Sequence, residues 1–404
     1  MPEKRKDAKG RVLKDGETYR SDGRYMYRYT DIHGNRQYIY AKDLTSLREK
    51  EKQIQQDRID GIDYSAGEIT VKELCERFVM QKVNVRKGTL KNYNRIIKII
   101  CRYDISCKKI KSVKQSDVKL FLIELSQEYS YTSVSVCKNI LKSIFEIAVK
   151  EDILRKNPLQ FRLNDLINNN TIGRRALSKE EKERFLTGLK SDRFGKEIYD
   201  EIIILLKTGL RVSELYGLTK DDVDCFNHTI DINKQLIYDS NNGYYIEKPK
   251  SKSGERIIPL LDNDVILAFR NALENRRQAT KNAIVDGYSD FIFICKSGSP
   301  KTSQNLEASL RNFKRRYDSS HTKPLPNITP HILRHTFCTD MINSGMDIKS
   351  LQYLMGHSNA DVTMNVYAHS SYETAAAAYK KAIGAMGPSD TKIDTNRDES
   401  YEDL

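Results

Sequence analysis

IIILLKTGLRVSEL, residues 202–215, is an apolar helical run that stops at a glycine and then presents an arginine. Gly209 ends the run, Arg211 follows, and Glu214 lies three residues on, where one helical turn brings its carboxylate within reach of the guanidinium. An Arg/Glu pair in isolation is usually a surface ion pair, so the meaning of this one depends on what else the chain carries.

Moving outward, PKSKSGERIIPL (249–260) places Lys252 beside Ser253 and Gly254. Residues 229–260 predict a three-stranded antiparallel sheet with turns at Asn241-Asn242-Gly243 and Lys252-Ser253-Gly254, which puts Lys252 at a hairpin tip. A flexible ammonium there could deliver a proton to a leaving oxygen, with Lys248 and Lys250 as rivals. In TPHILRHTF (329–337), Thr329 is the predicted N-cap and Pro330 the first helical residue. His331 and Arg334 then share a face at i, i+3, near a helix N-terminus that favours anions. A zinc pair of His331 with His335 lacks an acidic third ligand. In LMGHSNADVTMNVYAH (354–369), Gly356 ends a helix, His357 follows, and Tyr367 comes ten residues later. With 23 tyrosines in the chain, Tyr367 takes its meaning from this company alone.

The rest of the chain reads as two further units. Its 404 residues allow two or three cores, and an excess of 68 Lys and Arg over 55 Asp and Glu favours a polyanionic partner. Residues 67–165 carry 20 basic and 11 acidic side chains, whereas 166–404 carry 33 and 32, so much of the surplus is local. Helical stripes dominate 67–165: Val71 to Val79, then Leu90 to Ile100 after Thr89, Asp117 to Glu128 after a Ser116 cap, and Ser133 to Lys150. Arg86, Lys87, Lys91, Arg95 and Lys98 lie between these stripes, a density that suits a helical domain gripping a duplex backbone. Ahead of them, YRSDGRYMYRYTDIHGNRQYIY (19–40) alternates with period two. Tyr25, Tyr27 and Tyr29 line one face of a small sheet and Arg24, Met26 and Arg28 the other, with Arg36 on the next strand. Ser46 and Glu49 have capping-box spacing for the helix that follows.

The fold class is therefore multidomain and mainly α with small antiparallel β-sheets. A small α+β unit spans 1–66, an all-α unit 67–165, and a mixed, mostly helical unit 166–387; an acidic, disordered tail is expected over 388–404. Seven scattered cysteines without C-x-x-C spacing argue against a disulfide framework or a zinc module. With no 18-residue apolar run and no apolar signal core, a cytoplasmic, membrane-free protein is expected.

Arg211 in TGLRVSEL, Lys252, His331-x-x-Arg334, Gly356-His357 and Tyr367, in this order and spacing, closely resemble the signature of the tyrosine recombinase family, the phage-type integrases. The N-terminal sheet and basic helices also resemble the arm-binding and core-binding domains of integrases from bacterial conjugative transposons. The resemblance implies site-specific cleavage and rejoining of double-stranded DNA through a 3′-phosphotyrosine, integrating and excising a mobile element. Arg211 and Arg334 would clamp the phosphate, Glu214 would support Arg211, and Lys252 would protonate the 5′ oxygen. His331 would assist proton transfer, His357 would bond a phosphate oxygen, and Tyr367 would be the nucleophile. Arg24, Arg28 and Arg36 would contact arm sites, and the basic helical residues core sites. No cofactor and no metal are implied. The implied partners are arm and core DNA, a homotetramer exchanging its C-terminal helix (from Ser370), an excisionase and a host DNA-bending protein. A topoisomerase-like relaxer would lack the arm-like unit, and a purely architectural binder would lack the Tyr or an Arg.

Overall fold

The computed structural model describes residues 5–30, 34, 36–59, 68–171, 173, 175–249, 252–277 and 282–357. Alternation around Tyr25 becomes an antiparallel meander of β1 (Glu17–Tyr19), β2 (Tyr25–Thr30) and β3 (Arg36–Ala41). Tyr25 points inward and is buried, and its hydroxyl donates to Asp7 at 2.8 Å while accepting from Arg11 at 2.6 Å. Helix α1 (Leu44–Ile59) closes this small core through Leu44 and Leu47. Its cap is Asp43 rather than Ser46: the Asp43 carboxylate accepts the Ser46 amide at 2.8 Å, so the helix begins two residues before the expected Ser. On the opposite face of the sheet, Arg28 pairs with Tyr38 and Met26 with Tyr40, and Arg24, Arg28 and Arg36 are exposed.

Four helices follow, α2 (Val71–Met80), α3 (Lys87–Ile100), α4 (Gln115–Glu128) and α5 (Tyr131–Lys150), around one core that includes Leu74, Phe78, Ile100, Phe121, Leu141 and Phe145. Thr70 caps α2 in a capping box with Glu73. The next three helices start earlier than their Ser and Thr residues suggest, because those hydroxyls sit within the first turn. At α4 the Asp117 carboxylate reaches back to accept the Lys114 amide at 2.8 Å. This first compact unit runs to Ile172, with Leu163 buried in its core and Leu166 and Ile167 packed against it.

The second unit begins at Gly173. Helices α6 (Lys179–Ser191), α7 (Lys196–Thr208) and α8 (Val212–Gly217) precede β4 (Val223–Asp224), β5 (Thr229–Ile232), β6 (Gln235–Asp239), β7 (Gly243–Glu247) and β8 (Arg256–Pro259). Helices α9 (Asn263–Arg277), α10 (Ser303–Ser320), α11 (Pro330–Asn343) and α12 (Ile348–Met355) complete the described part. The strands differ from the expected single sheet. β5 pairs with β4 and β8, and β6 with β7 forms a separate hairpin. In the β5/β8 register Ile230 faces Ile258 and Ile232 faces Arg256, so the buried side chains of both strands share one face. The stretch holding Lys252 therefore crosses from one sheet to the other as a short helical turn (Lys252–Gly254), not a hairpin tip. Among the described residues no helix is long and apolar enough to cross a membrane.

Candidate functional site

The site is assembled where helices end. Helix α7 stops at Gly209, whose φ of +65° is the left-handed conformation that glycine adopts without strain. A side chain there is doubly excluded, because a Cβ would lie 2.3 Å from a ring carbon of Phe337. Gly356 ends α12 in the same way, at φ +60°. The two helix C-termini present their last carbonyls to one guanidinium: Arg334 donates to the Gly209 carbonyl at 2.5 Å and to the Met355 carbonyl. Those carbonyls carry the negative ends of their helices, a natural partner for a cation. Arg334 is 6 % exposed, and its approach is fixed by α11, which Thr329 caps through the Ile332 amide with Pro330 in the first turn.

Arg211 is the N-cap of α8, in extended backbone, so its side chain leaves the helix axis toward the same place. It donates from Nη1 to Glu214 Oε1 at 2.7 Å and from Nη2 to the Gly356 carbonyl at 3.1 Å. Glu214 also accepts the Arg211 amide at 2.9 Å, closing the first turn of α8. The predicted i, i+3 contact is thus present, with the carboxylate buried rather than on the surface.

Arg256 was not singled out in the sequence. Its side chain is fully buried, and it donates from Nη2 to Glu214 Oε2 at 2.9 Å, from Nη1 to Glu214 Oε1 at 3.3 Å and to the Gly254 carbonyl at 3.1 Å, and from Nε to the Leu354 carbonyl at 2.7 Å. Period two along β8 was the one signal, with Arg256 and Ile258 buried and Ile257 facing out, but which face turns inward is decided by the pairing of β8 with β5.

Three arginines around one carboxylate set the electrostatics. Burial alone would raise the Glu214 pKa, but Arg256, Arg211 and Arg334 outweigh it and hold the group down at about 2. Arg334 is pushed down to about 9 by burial and by Arg211 and Arg256, with Glu214 partly offsetting them. His357 follows Gly356 and donates its amide to the Gln352 carbonyl at 3.1 Å. Burial, then Arg334, Arg211 and Arg256, lower its imidazole to about 4, so it is neutral near pH 7. The cluster is a buried cationic pocket edge with a neutral imidazole beside it, suited to an anion such as phosphate.

The structure thus brings together Arg211, Glu214, Arg334 and His357 from distant segments. His331 lies on the first turn of α11, exposed, one turn before Arg334. Lys252 opens the turn whose Gly254 carbonyl Arg256 holds; its side chain, Lys250, Tyr367 and the C-terminal helix and tail lie outside the described residues. Among the described residues no group of three His, Cys, Asp or Glu is placed to hold a metal ion. A cavity of about 440 Å³ lined by Glu201, Arg276, Phe293 and Lys301 contains none of the cluster.

In the first unit, Lys87, Lys91, Arg95 and Lys98 are exposed along one face of α3, opposite Ile96, Ile97 and Ile100. Arg86 is the N-cap of that helix. On the N-terminal sheet, the guanidinium groups of Arg20 and Arg24 lie 5.5 and 5.6 Å from the Tyr40 ring centre, and Arg24 also pairs with Asp22 at 2.7 Å.

Known proteins share this organisation. The pattern described as the phage integrase family matches residues 175–374, the DNA binding domain of Tn916 integrase matches 1–58, and the phage integrase SAM-like domain matches 70–169. The transposase from transposon Tn1545 of Streptococcus pneumoniae is 40 % identical over 395 residues, covering 94 % of this chain and 97 % of that protein. The transposase from transposon Tn916 of Enterococcus faecalis gives the same identity and coverage. The structure of the Tn1549 transposon integrase in complex with transposon right end DNA superposes with a TM-score of 0.73 at 37 % identity, covering 78 % of this chain and all of that one.

Proposed function

The chain belongs to the phage integrase family, and from that premise we propose that it acts on double-stranded DNA through the cluster around Glu214. It is a site-specific tyrosine recombinase of the conjugative-transposon type, a DNA cleaving and rejoining enzyme. The observation that carries the assignment of the site is the convergence of Arg211, Arg334 and His357 where α7 and α12 end: Arg211 holds buried Glu214 and the Gly356 carbonyl, Arg334 holds the Gly209 and Met355 carbonyls, and His357 follows Gly356.

In this reading the donors that Arg211 and Arg334 do not spend on Glu214 and the three backbone carbonyls clamp the non-bridging oxygens of the scissile phosphate. Phosphoryl transfer spreads charge over those oxygens, and preorganised guanidinium groups meet it without rearrangement. His357, neutral, donates an N–H to the same phosphate. The Tyr367 oxygen attacks phosphorus as its proton passes to His331, and a P–O bond to tyrosine forms. The bond to the 5′ oxygen breaks, its electron pair stays with that oxygen, and the Lys252 ammonium supplies the proton. One phosphodiester replaces another, so the bond energy is retained for rejoining when a 5′-hydroxyl attacks the phosphotyrosine and the phenol leaves. A phenol ordinarily ionises near pH 10, and the net positive cluster makes the phenolate less costly at neutral pH.

The basic face of α3 with Arg86 grips core sites, and Arg24, Arg28 and Arg36 contact arm sites. A tetramer brings four such centres to two duplexes, linked by exchange of the C-terminal helix, with an excisionase and a host DNA-bending protein biasing direction. The test is a nicked suicide duplex carrying the core site, incubated with wild type and Tyr367→Phe. Wild type gives a denaturant-resistant adduct at the 3′ end and the variant gives none; an adduct in the variant contradicts the nucleophile.

A further inference from the structure

We infer that Arg256 is a positioning residue for leaving-group protonation, locking the turn that bears Lys252 to the Arg211–Glu214 clamp and to the end of α12. Resting on the reading of Lys252 as the acid at the 5′ oxygen, it adds how that lysine is held in place.

The guanidinium of Arg256 joins three segments with different duties in one planar group. Its Nη1 holds the Gly254 carbonyl, two residues from Lys252. Its two Nη groups grip both oxygens of Glu214, the carboxylate that orients Arg211. Its Nε holds the Leu354 carbonyl, two residues before the Gly356-His357 pair. A fork of five fixed donors is suited to such a junction and a single ammonium is not.

Two further features show that the surrounding backbone is built to this guanidinium. Gly356 lies against it: a Cβ at that position would stand 2.7 Å from Arg256 Nη1 and 3.2 Å from the Ser253 carbonyl oxygen. A side chain there would press on the guanidinium where the chain that leads into His357 passes between Arg256 and the Lys252 turn. A second strap runs alongside, where the Ile257 amide donates to the Tyr353 hydroxyl at 3.2 Å, tying β8 to α12 beside the buried guanidinium. Arg256 touches no position where substrate would sit, because its side chain is fully buried. Its effect passes through the groups it holds.

Arg256→Lys separates these duties. The ammonium stays on Glu214, where charge attraction is strongest, and Arg211 keeps its partner. The Gly254 and Leu354 carbonyls lose theirs, so the Lys252 turn is released while the clamp is retained.

The experiment compares cleavage of a core-site suicide duplex with its analogue bearing sulfur in place of the bridging 5′ oxygen. A thiolate leaves without a proton, so the analogue bypasses any defect in delivering one. Wild type, Arg256→Lys, Lys252→Ala and Arg211→Lys are measured on both substrates, with core-site affinity and thermal midpoint as checks on folding. Arg256→Lys is expected to bind the core site within about threefold of wild type, to cleave the oxygen substrate at least about 30-fold more slowly, and to recover to within about threefold on sulfur. These are order-of-magnitude expectations for losing general acid catalysis. Lys252→Ala should recover likewise, and Arg211→Lys should not. Recovery of Lys252→Ala without recovery of Arg256→Lys overturns the positioning role, as does an undiminished rate of Arg256→Lys on oxygen. Failure of Lys252→Ala itself to recover contradicts the acid assignment instead. If Arg256→Lys misfolds, Gly356→Ala, which presses on the same guanidinium, is read on the same two substrates: recovery on sulfur supports the role and its absence counts against it.

Discussion

Replacing Glu214 by Gln removes the charge on which three guanidinium groups converge while keeping the side chain's shape. Glu214 is 4 % exposed, so solvent does little to screen the loss. A carboxyl held at about 2 instead of 4.5 carries roughly 3 kcal/mol of preference for its ionised form in the fold. The folded value is the depressed one, so this stabilisation is complete above the ordinary value and is lost as pH falls from about 4.5 toward 2. By linkage it shrinks to about 2 kcal/mol at pH 3.5. For a unit of this size each kcal/mol moves the midpoint by about 2–4 °C, so Glu214→Gln should melt roughly 6–12 °C below wild type at pH 7. Scanning calorimetry of the full chain at pH 7, 5 and 3.5 makes the measurement. The gap between the two proteins should hold from pH 7 to 5 and narrow at 3.5. An unchanged midpoint at pH 7, or a gap that does not narrow with acid, refutes the claim that the arginines hold this carboxylate ionised.

Arg211→Lys substitutes a point charge for a fork that bonds both Glu214 and the Gly356 carbonyl; cleavage should fall about 100-fold or more with core-site affinity nearly kept, as gel shift and suicide-substrate rates will show. Gly209→Ala forces a Cβ into Phe337 at a positive φ, costing about 2–4 kcal/mol in urea unfolding, and because the Gly209 carbonyl accepts from Arg334 it should slow cleavage as well. Deleting residues 1–66 should leave cleavage of a core site intact and abolish footprints at distal arm sites; unchanged distal footprints would remove the arm role of Arg24, Arg28 and Arg36.

Much of the site could be read from residue order because its backbone requirements are severe. A glycine must follow α7 and another must follow α12, since both helix ends face a buried guanidinium, and such glycines punctuate the sequence beside Arg211 and His357. Period two on β2 likewise separated buried Tyr25 from exposed Arg24 and Arg28. What escaped was decided by long-range pairing. Nothing local in PKSKSGERIIPL marks Arg256, and only the pairing of β8 with β5 turns it inward onto Glu214. The same pairing separated the Lys252 turn from the hairpin that local turn signals suggested. Helix starts slipped because an Asp can cap from either side of the boundary: Asp43 does so from in front of α1, and Asp117 from inside α4.

Taking the charge off the scissile phosphate shows whether these guanidinium groups neutralise it. A suicide duplex with a methylphosphonate at the scissile position has no anionic non-bridging oxygen for Arg211 to meet. On the ordinary substrate Arg211→Ala should cleave about 100-fold or more below wild type, and on the methylphosphonate the ratio should collapse to within about tenfold, since the neutral centre has no such charge to stabilise. The same ratio on both substrates would place Arg211 away from the phosphate and contradict the account.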